Sequence, residues 1–230
     1  MSELRPRLVD THVPDRPQGL VLVLHGGAAR RERMPVSAAQ LSVLRMVPVA
    51  ARVARTAPAL VVQRLLNTSR GWDSRATPVD DVRWALTRVA ERFGPDLPVC
   101  LVGHSLGGRA ALLAGSHPAV RAVVALAPWL YPTDGATDLS GRDVLVVHGD
   151  RDRIARPEIA EQVARQLATR ARVAHVTVIG GTHSMLRHIA TFDGLAADFA
   201  AATLLGTAGT GLVGRALAGE QWLSTEPAAR

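Results

Sequence analysis

The chain has 230 residues, of which 47% are hydrophobic and 20% are charged, and its formal net charge is +7. This composition is typical of a folded domain with a buried core and excludes a disordered polyelectrolyte. Every basic residue other than histidine is arginine, and these arginines are scattered rather than grouped. Because aromatic residues make up only 3% of the chain, no basic stripe with interleaved aromatics is present, and we expect no nucleic-acid partner.

The chain has a single cysteine, Cys100, which excludes an intramolecular disulfide. Because Cys100 lies inside an apolar run, we expect its thiol to be buried and unreactive. The first ten residues are charged and carry no signal-peptide pattern, and no apolar stretch is long enough to span a membrane. We therefore expect one cytoplasmic domain over residues 1–230, with a core at about 18–205 and a tail at 206–230. That tail is predicted to be a short helix followed by a loose end. The oligomeric state is left open.

Short apolar runs alternate with helix-like segments along the chain. The predicted strands are Leu20–His25, Ala59–Leu65, Pro98–Val102, Ala122–Ala127, Val144–His148 and Val173–Ile179. The predicted helices are Ser37–Thr56, Pro78–Phe93, Leu106–His117, Pro157–Thr169 and Leu195–Leu205. Since the strand runs are continuously apolar, both faces of the sheet are expected to be covered. The pattern predicts an α/β fold, with a mostly parallel sheet of about six to seven strands and helices on both faces.

The motif Gly103-His104-Ser105-Leu106-Gly107 joins one predicted strand to the helix that follows it. Glycine on both sides of the serine permits a strained strand-to-helix turn, which would project the hydroxyl out of the sheet. The helix N-terminus would then supply N–H groups and a favourable dipole to a developing oxyanion. Ser105 is therefore the candidate nucleophile, and the alternative is a glycine-rich turn that only begins a helix.

A serine hydroxyl needs a base, because it is a weak nucleophile at neutral pH. Of the eight histidines, His183 follows the last predicted strand in the loop Ile179-Gly180-Gly181-Thr182, and His188 is its near competitor. A third group would orient that histidine, and Asp150 and Asp152 both follow an earlier strand. Paired carboxylates also resemble metal ligands, but no His or Cys at ligand spacing accompanies them, so we expect no metal.

Four segments, in this order and spacing, resemble the α/β-hydrolase family: Leu24-His25-Gly26-Gly27, Gly103 to Gly108, His148-Gly149-Asp150-Arg151-Asp152 and Gly180-Gly181-Thr182-His183. The resemblance covers about residues 18–205 and implies an α/β-hydrolase fold. It implies Ser105 as nucleophile and His183 as base. Asp152 is preferred to Asp150, because the acid ends the family pattern H-G-x-x-D. The backbone N–H groups of Leu106 and Gly27 would form the oxyanion hole, with Ala28 as the alternative to Gly27.

The segment Pro128–Arg142 is too short for the helical cap that many members of this family insert there. We therefore expect an open site with no sizeable cap domain. Four side chains fall in loops at the catalytic edge of the sheet and form either an apolar substrate pocket or loop anchors. They are Met34, Trp72, Trp129 and Tyr131.

Other polar side chains near these motifs are interpreted as structural. The segment Arg70 to Ser74 resembles the family's R-G-x-G-x-S turn, although Asp73 stands where glycine is usual. Asp80 and Asp81 are expected to be solvated acids in the first turn of a helix. Arg45, Arg52 and Arg55 are expected on the solvated face of an amphipathic helix.

The resemblance implies a carboxylesterase-like serine hydrolase that cleaves esters or thioesters through a Ser105–His183–Asp152 triad and an acyl-enzyme. It implies no metal or organic cofactor and a small-molecule, ester-type substrate. Three alternatives stay open: an acyltransferase or perhydrolase, a small-peptide peptidase, and a non-catalytic binding protein on a hydrolase fold.

Overall fold

The computed structural model describes residues 5–27, 35–72 and 77–226. The strands in these ranges are β1 (Arg7–His12), β2 (Gly19–Leu24), β3 (Leu60–Leu66), β4 (Val99–His104), β5 (Val120–Leu126), β6 (Asp143–Gly149), β7 (Arg172–Val178) and β8 (Trp222–Ser224). The helices are α1 (Leu41–Leu44), α2 (Met46–Thr56), α3 (Thr77–Phe93), α4 (Leu106–Ala114), α5 (Pro157–Leu167), α6 (Ile189–Leu205) and α7 (Gly211–Leu217). Within the same ranges, 3₁₀ helices lie at Pro132–Ala136 and Leu186–His188.

The strands form one sheet in the order β1-β3-β2-β4-β5-β6-β7-β8. Only β1 runs antiparallel to its neighbour, and the other pairs are parallel. The chain passes from β2 to β3 on one side and then crosses to β4 on the other. In open α/β sheets, ligands bind at such a reversal, beside the carboxyl ends of the strands. The topology therefore predicts a binding site at the carboxyl ends of β2 and β4.

The core consists of two apolar layers, one on each face of the sheet. Side chains alternate along β2, so that Val21 and Val23 lie in one layer while Leu20 and Leu22 lie in the other. Helices α2, α6 and α7 cover the first face, and helices α3, α4 and α5 cover the second. This two-sided cover explains why the central strands are continuously apolar. The predicted α/β architecture is confirmed.

The sheet has eight strands in the described residues, which is more than the six to seven expected. The additional strands β1 and β8 lie at its two edges. Because an edge strand is only partly covered, β1 carries polar residues along with apolar ones and lacks a continuous apolar run. The short helix expected in the tail is present as α7, but the loose end expected after it is wrong as far as residue 226, because β8 pairs with β7 and Leu223 is buried.

The predicted helix Ser37–Thr56 is divided into α1 and α2. Pro48 accounts for the division, because it has no N–H to donate to the carbonyl of Leu44 and its ring would clash with that carbonyl. Between β5 and β6 lies the short 3₁₀ helix Pro132–Ala136, so no cap domain covers the sheet there. Within the described ranges, no helix is long and apolar enough to cross a membrane.

Candidate active site

The elbow between β4 and α4 holds Ser105 in an unusual backbone conformation. Its φ of 55° and ψ of −119° lie outside the regions that serine normally occupies. The surroundings stabilise this geometry, since the Ser105 N–H donates to Leu126 O at 3.0 Å and the Ser105 carbonyl accepts from the N–H of Trp129 at 3.2 Å. The side chain borders a cavity, as expected of a strained turn that presents its hydroxyl.

Helix α4 packs unusually close to the end of β2, and Gly107 makes this possible. A β-carbon at Gly107 would lie 2.5 Å from the carbonyl oxygen of Leu24 and 2.6 Å from that of His25. The close packing brings the first turn of α4 beside the loop that follows β2. Both Leu106 and Gly27, the expected oxyanion donors, border the same cavity as Ser105. The fallback donor Ala28 lies outside the described residues.

His25 fastens the loop that carries Gly27. Its Nδ1 lies 2.6 Å from the carbonyl oxygen of Gly26, and its Nε2 accepts from the N–H of Asn67 at 3.2 Å. Burial lowers the pKa of His25, which favours the neutral form that makes one donor and one acceptor bond. The sequence places His25 at the end of a strand and in the first of the four family-like segments, but it gives no sign of this supporting role.

His183 contacts Ser105 across the carboxyl edge of the sheet. Its Nε2 lies 3.0 Å from Ser105 Oγ, and its Nδ1 lies 2.8 Å from Asp152 Oδ2. In the tautomer that carries its proton on Nδ1, the imidazole donates to the carboxylate and leaves Nε2 free to accept a hydroxyl proton. The competitor His188 lies instead at the start of α6, where its ring faces Gly180.

The two candidate acids have different positions. Asp152 is buried, and its Oδ1 accepts the N–H groups of Ile154 and Ala155 while Oδ2 faces His183. Asp150 is exposed, and it accepts the N–H of Gly180 at 2.6 Å. Asp150 therefore braces the loop that carries the histidine, whereas Asp152 contacts the histidine itself. In the described parts of the chain, no cluster of three or more His, Cys, Asp or Glu is arranged to hold a metal.

His148 is a further neighbour of Asp152 that sequence reasoning did not assign. Its Nε2 lies 3.1 Å from both Asp152 Oδ2 and the carbonyl of Ala155. Burial by itself raises the pKa of Asp152, but the hydrogen bonds from His148 and His183 outweigh it and lower that pKa below its usual range. The carboxylate is therefore ionised at neutral pH. A histidine at the carboxyl end of a strand, four residues before the acid, was the available signal.

His104 and Arg45 support the loop that carries His183 through contacts with its backbone carbonyls. His104 Nε2 lies 2.9 Å from the carbonyl of His183, and the two rings are 5.0 Å apart. The Arg45 guanidinium donates to the carbonyl of Ser184 at 3.1 Å and to Asp193 at 2.8 Å. The interpretation of Arg45 as a solvated side chain is wrong, because only 8% of its side chain is exposed in this ion pair. Its amphipathic helix could not reveal a partner 148 residues away.

The aromatic candidates divide into two groups. Trp129 lines the cavity beside Ser105. Trp72 and Tyr131 lie on Arg109, whose guanidinium is 4.3 Å and 4.5 Å from their ring centroids. Neither Trp72 nor Tyr131 is among the described residues that line the cavity. Met34 lies outside the described residues, as do Asp73 and Ser74 of the turn after Arg70.

The description of Asp81 as solvated is also wrong. Asp81 is 4% exposed, and its carboxylate accepts the N–H and the hydroxyl of Thr68 at 2.8 Å and 2.7 Å. It thereby ties the loop after β3 to helix α3. An acid in the first turn of a helix is common for electrostatic reasons alone, so its position did not reveal this second role.

The cavity has a volume of about 450 Å³ and is open to solvent. Its polar groups converge on one point, where Ser105, His183 and the start of α4 meet, and Trp129, Leu106 and Ile154 give it an apolar wall. A concave, mostly apolar site with a few convergent polar groups is the usual form of a small-molecule site. The arrangement can activate a hydroxyl and hold a negatively charged oxygen beside it.

Comparison with known proteins agrees with this architecture. Residues 63–193, more than half of the chain, match the family model described as an alpha/beta hydrolase domain. The chain belongs to the α/β-hydrolase family. Comparison with curated proteins gives no match.

Several solved structures share the fold. Est1E from Butyrivibrio proteoclasticus, bound to ferulic acid, is 16% identical, with a TM-score of 0.65 over 87% of this chain and 96% of that one. An esterase from Pyrobaculum calidifontis is 17% identical, with a TM-score of 0.65 over 89% and 87%. A Xanthomonas campestris serine hydrolase described as having no lid is 20% identical, with a TM-score of 0.58 over 83% and 85%.

Proposed function

We propose that this protein is a serine esterase in which Ser105 is the nucleophile, His183 the base and Asp152 the acid that orients the base. The main observation that supports this proposal is the hydrogen-bonded chain from Ser105 Oγ through His183 to Asp152, with distances of 3.0 Å and 2.8 Å. Both distances lie within the reach of about 2.6–3.2 Å that proton transfer requires. The buried, ionised carboxylate then stabilises the imidazolium that forms during attack.

Acylation begins when Ser105 Oγ attacks the ester carbonyl carbon and its proton passes to His183 Nε2. The carbonyl oxygen becomes an oxyanion, which the backbone N–H groups of Leu106 and Gly27 are suited to hold. The bond to the leaving oxygen then breaks as His183 Nε2 returns the proton to that oxygen. The alcohol departs, and the acyl group stays on Ser105 as an ester.

Deacylation repeats these steps with water as the nucleophile. His183 Nε2 takes a proton from water as the water oxygen attacks the acyl carbon, and the same two N–H groups hold the oxyanion. Collapse returns the proton to Ser105 Oγ and releases the carboxylic acid. Nothing in this cycle consumes an oxidant, a reductant or an organic cofactor.

Small carboxylic esters and thioesters are the substrate class that the cavity suits. Its volume of about 450 Å³ accommodates a substrate of modest size. Esterase neighbours, one of them holding an aromatic carboxylic acid, support this class without fixing it. An amide bond makes a stronger demand, because its nitrogen is a much poorer leaving group than an ester oxygen and cannot depart without the proton from the histidine.

Hydrolysis of p-nitrophenyl acetate by the purified protein tests the proposal. We expect a burst of p-nitrophenol equal to the enzyme concentration if deacylation limits turnover, and steady release otherwise. Ser105→Ala and His183→Ala should each lower kcat by about 10⁴- to 10⁶-fold. Activity that persists in Ser105→Ala would contradict the proposal.

Parallel reactions with added alcohol or hydrogen peroxide, and with a matched amide, distinguish an esterase from an acyltransferase, a perhydrolase and a peptidase.

A further inference from the structure

A second concave surface begins at His183 and leads away from Ser105. It is a groove of about 480 Å³ between the α1–α2 corner and the start of α6, and its surface is almost entirely apolar. In the described part of the chain, nine large hydrophobic side chains are exposed, and four of them line this groove. Its apolar residues, termed here the α1–α6 groove, are Leu41, Leu44, Pro48, Leu186 and Ile189.

The α1–α6 groove adjoins the catalytic cavity. The two share Ser42, His104 and His183 as lining residues. The cavity residues that would hold the nucleophile and the oxyanion, namely Ser105, Leu106 and Gly27, line the cavity and not the groove. The groove therefore meets the site on its histidine side.

The proposed mechanism predicts which part of the substrate lies on the histidine side of the site. In the tetrahedral intermediate, the carbon is bonded to Ser105 Oγ, and the oxyanion points to Leu106 and Gly27. The leaving oxygen must lie next to His183 Nε2, because that nitrogen gives it a proton. The carbon chain beyond the leaving oxygen then continues past His183.

We propose that the α1–α6 groove binds the alcohol part of the substrate, so that the preferred substrates are esters of apolar, aliphatic alcohols. This inference rests on the proposed function and specifies that the enzyme selects apolar groups in the alcohol part of the ester. The acyl part would pack against the cavity wall formed by Trp129, Leu106 and Ile154. Four exposed hydrophobic side chains around one groove also make a patch of the kind that marks a binding surface.

Two series of esters test the assignment. In the alcohol series, from methyl acetate to hexyl acetate, kcat/KM should rise by up to about fourfold for each methylene that the groove covers. In the acyl series, from methyl acetate to methyl hexanoate, the chain extends away from the groove. Deacylation is common to the whole alcohol series, because every member forms the same acetyl-enzyme.

Two variants separate the groove from the rest of the site. Leu44→Ser and Leu186→Ser change side chains that are 46% and 62% exposed, so both should fold. Together they should lower kcat/KM for hexyl acetate by at least about fivefold, and they should change methyl acetate and the acyl series less than about twofold. Val13→Ser, which alters an equally apolar exposed side chain outside both cavities, is the matched control. An equal loss in the two series would overturn the assignment.

Binding of 1-hexanol, followed by NMR chemical shifts, examines the groove without turnover. We expect shifts at the α1–α2 corner and at the start of α6, which the double variant abolishes. If hexanol binds there but Ser105 proves inert, the proposed function fails while the groove remains an alcohol site. If Ser105 reacts but hexanol does not bind, the groove assignment fails alone. A wild-type oligomer that the double variant dissociates, with unchanged ester selectivity, would assign the groove to a second copy of the chain instead.

Discussion

Arg45 and Asp193 form a buried ion pair of 2.8 Å that joins the α1–α2 corner to helix α6. Burial raises the pKa of Asp193, and the hydrogen bond from Arg45 opposes that rise. The same guanidinium donates to the carbonyl of Ser184, next to His183. Stability and the position of the histidine loop are therefore linked through one side chain.

Arg45→Met should destabilise the protein by about 3–5 kcal/mol, because it leaves the Asp193 carboxylate buried without its partner. The double variant Arg45→Met, Asp193→Leu should regain most of that loss, since no buried charge remains. Urea unfolding gives the free energies. The exposed Arg55→Met, on helix α2, is the control and should change stability by less than about 0.5 kcal/mol. A double variant as unstable as the single one would refute the unpaired-charge explanation.

Asp152 and Asp150 should differ sharply in their effect on activity. Asp152→Asn removes the charge that stabilises the imidazolium and favours the wrong histidine tautomer, so kcat should fall by about 10⁴-fold. Asp150→Asn weakens only a bond to the Gly180 N–H, and kcat should fall by less than about tenfold. Ester hydrolysis by the two purified variants measures both. The reverse order would mean that Asp150 is the functional acid.

Gly107→Ala should damage the site through the backbone. The added β-carbon would lie 2.5 Å from the Leu24 carbonyl oxygen, so helix α4 must move away from the end of β2 and carry the Leu106 N–H with it. We expect a lower melting temperature and at least about a hundredfold loss of kcat, the usual effect of losing one oxyanion donor.

Gly194→Ala is the matched control for that variant. Gly194 lies within helix α6, and a β-carbon there would meet no other heavy atom within 4 Å. Alanine is better than glycine inside a helix by about 1 kcal/mol, so this variant should be as stable as the wild type or more stable. If both glycine variants lose activity equally, close packing at Gly107 is not the cause.

His104 should make folding sensitive to acid. Burial and the nearby His183 lower the pKa of His104 to about 3. Below its ordinary pKa of 6.5, the unfolded chain binds a proton that the folded protein does not, so stability falls as the pH drops from about 6.5 to about 3. The contribution is about 1.4 kcal/mol for each pH unit in that window.

The variant His104→Gln removes this titration and keeps an amide N–H that can reach the His183 carbonyl. Its unfolding free energy, measured in urea between pH 7 and pH 4, should therefore depend on pH less steeply than that of the wild type, by one proton. Identical slopes for the two proteins would show that His104 is not the group that takes up the proton.

The central sheet could be predicted from the sequence because its strands are covered on both faces. Continuous apolar runs located β2 to β7 to within a few residues. The edge strands β1 and β8 were missed, because partly exposed strands mix polar and apolar residues. Pro48, which causes the break between α1 and α2, was visible in the sequence, but the apolar periodicity on both sides obscured its effect.

The motifs predicted which residues converge, and they did not predict what supports them. Ser105, His183 and Asp152 come together as their order along the chain implied. The supports depend on contacts between distant parts of the chain, such as that between Arg45 and Asp193. No local pattern encodes such a pair. For the same reason, the sequence left open whether Trp72 and Tyr131 are pocket residues or loop anchors, since Arg109, which both rings contact, lies on α4, far from both in sequence.

The most direct test of the central claim is reaction of the purified protein with a fluorophosphonate, followed by mass spectrometry of the adduct. We predict one adduct per chain, located on Ser105, absent in Ser105→Ala and strongly slowed in His183→Ala. Correct folding of each variant is checked by circular dichroism. An intact, folded protein that forms no adduct, or one whose adduct persists in Ser105→Ala, would contradict the assignment of Ser105 as an activated nucleophile.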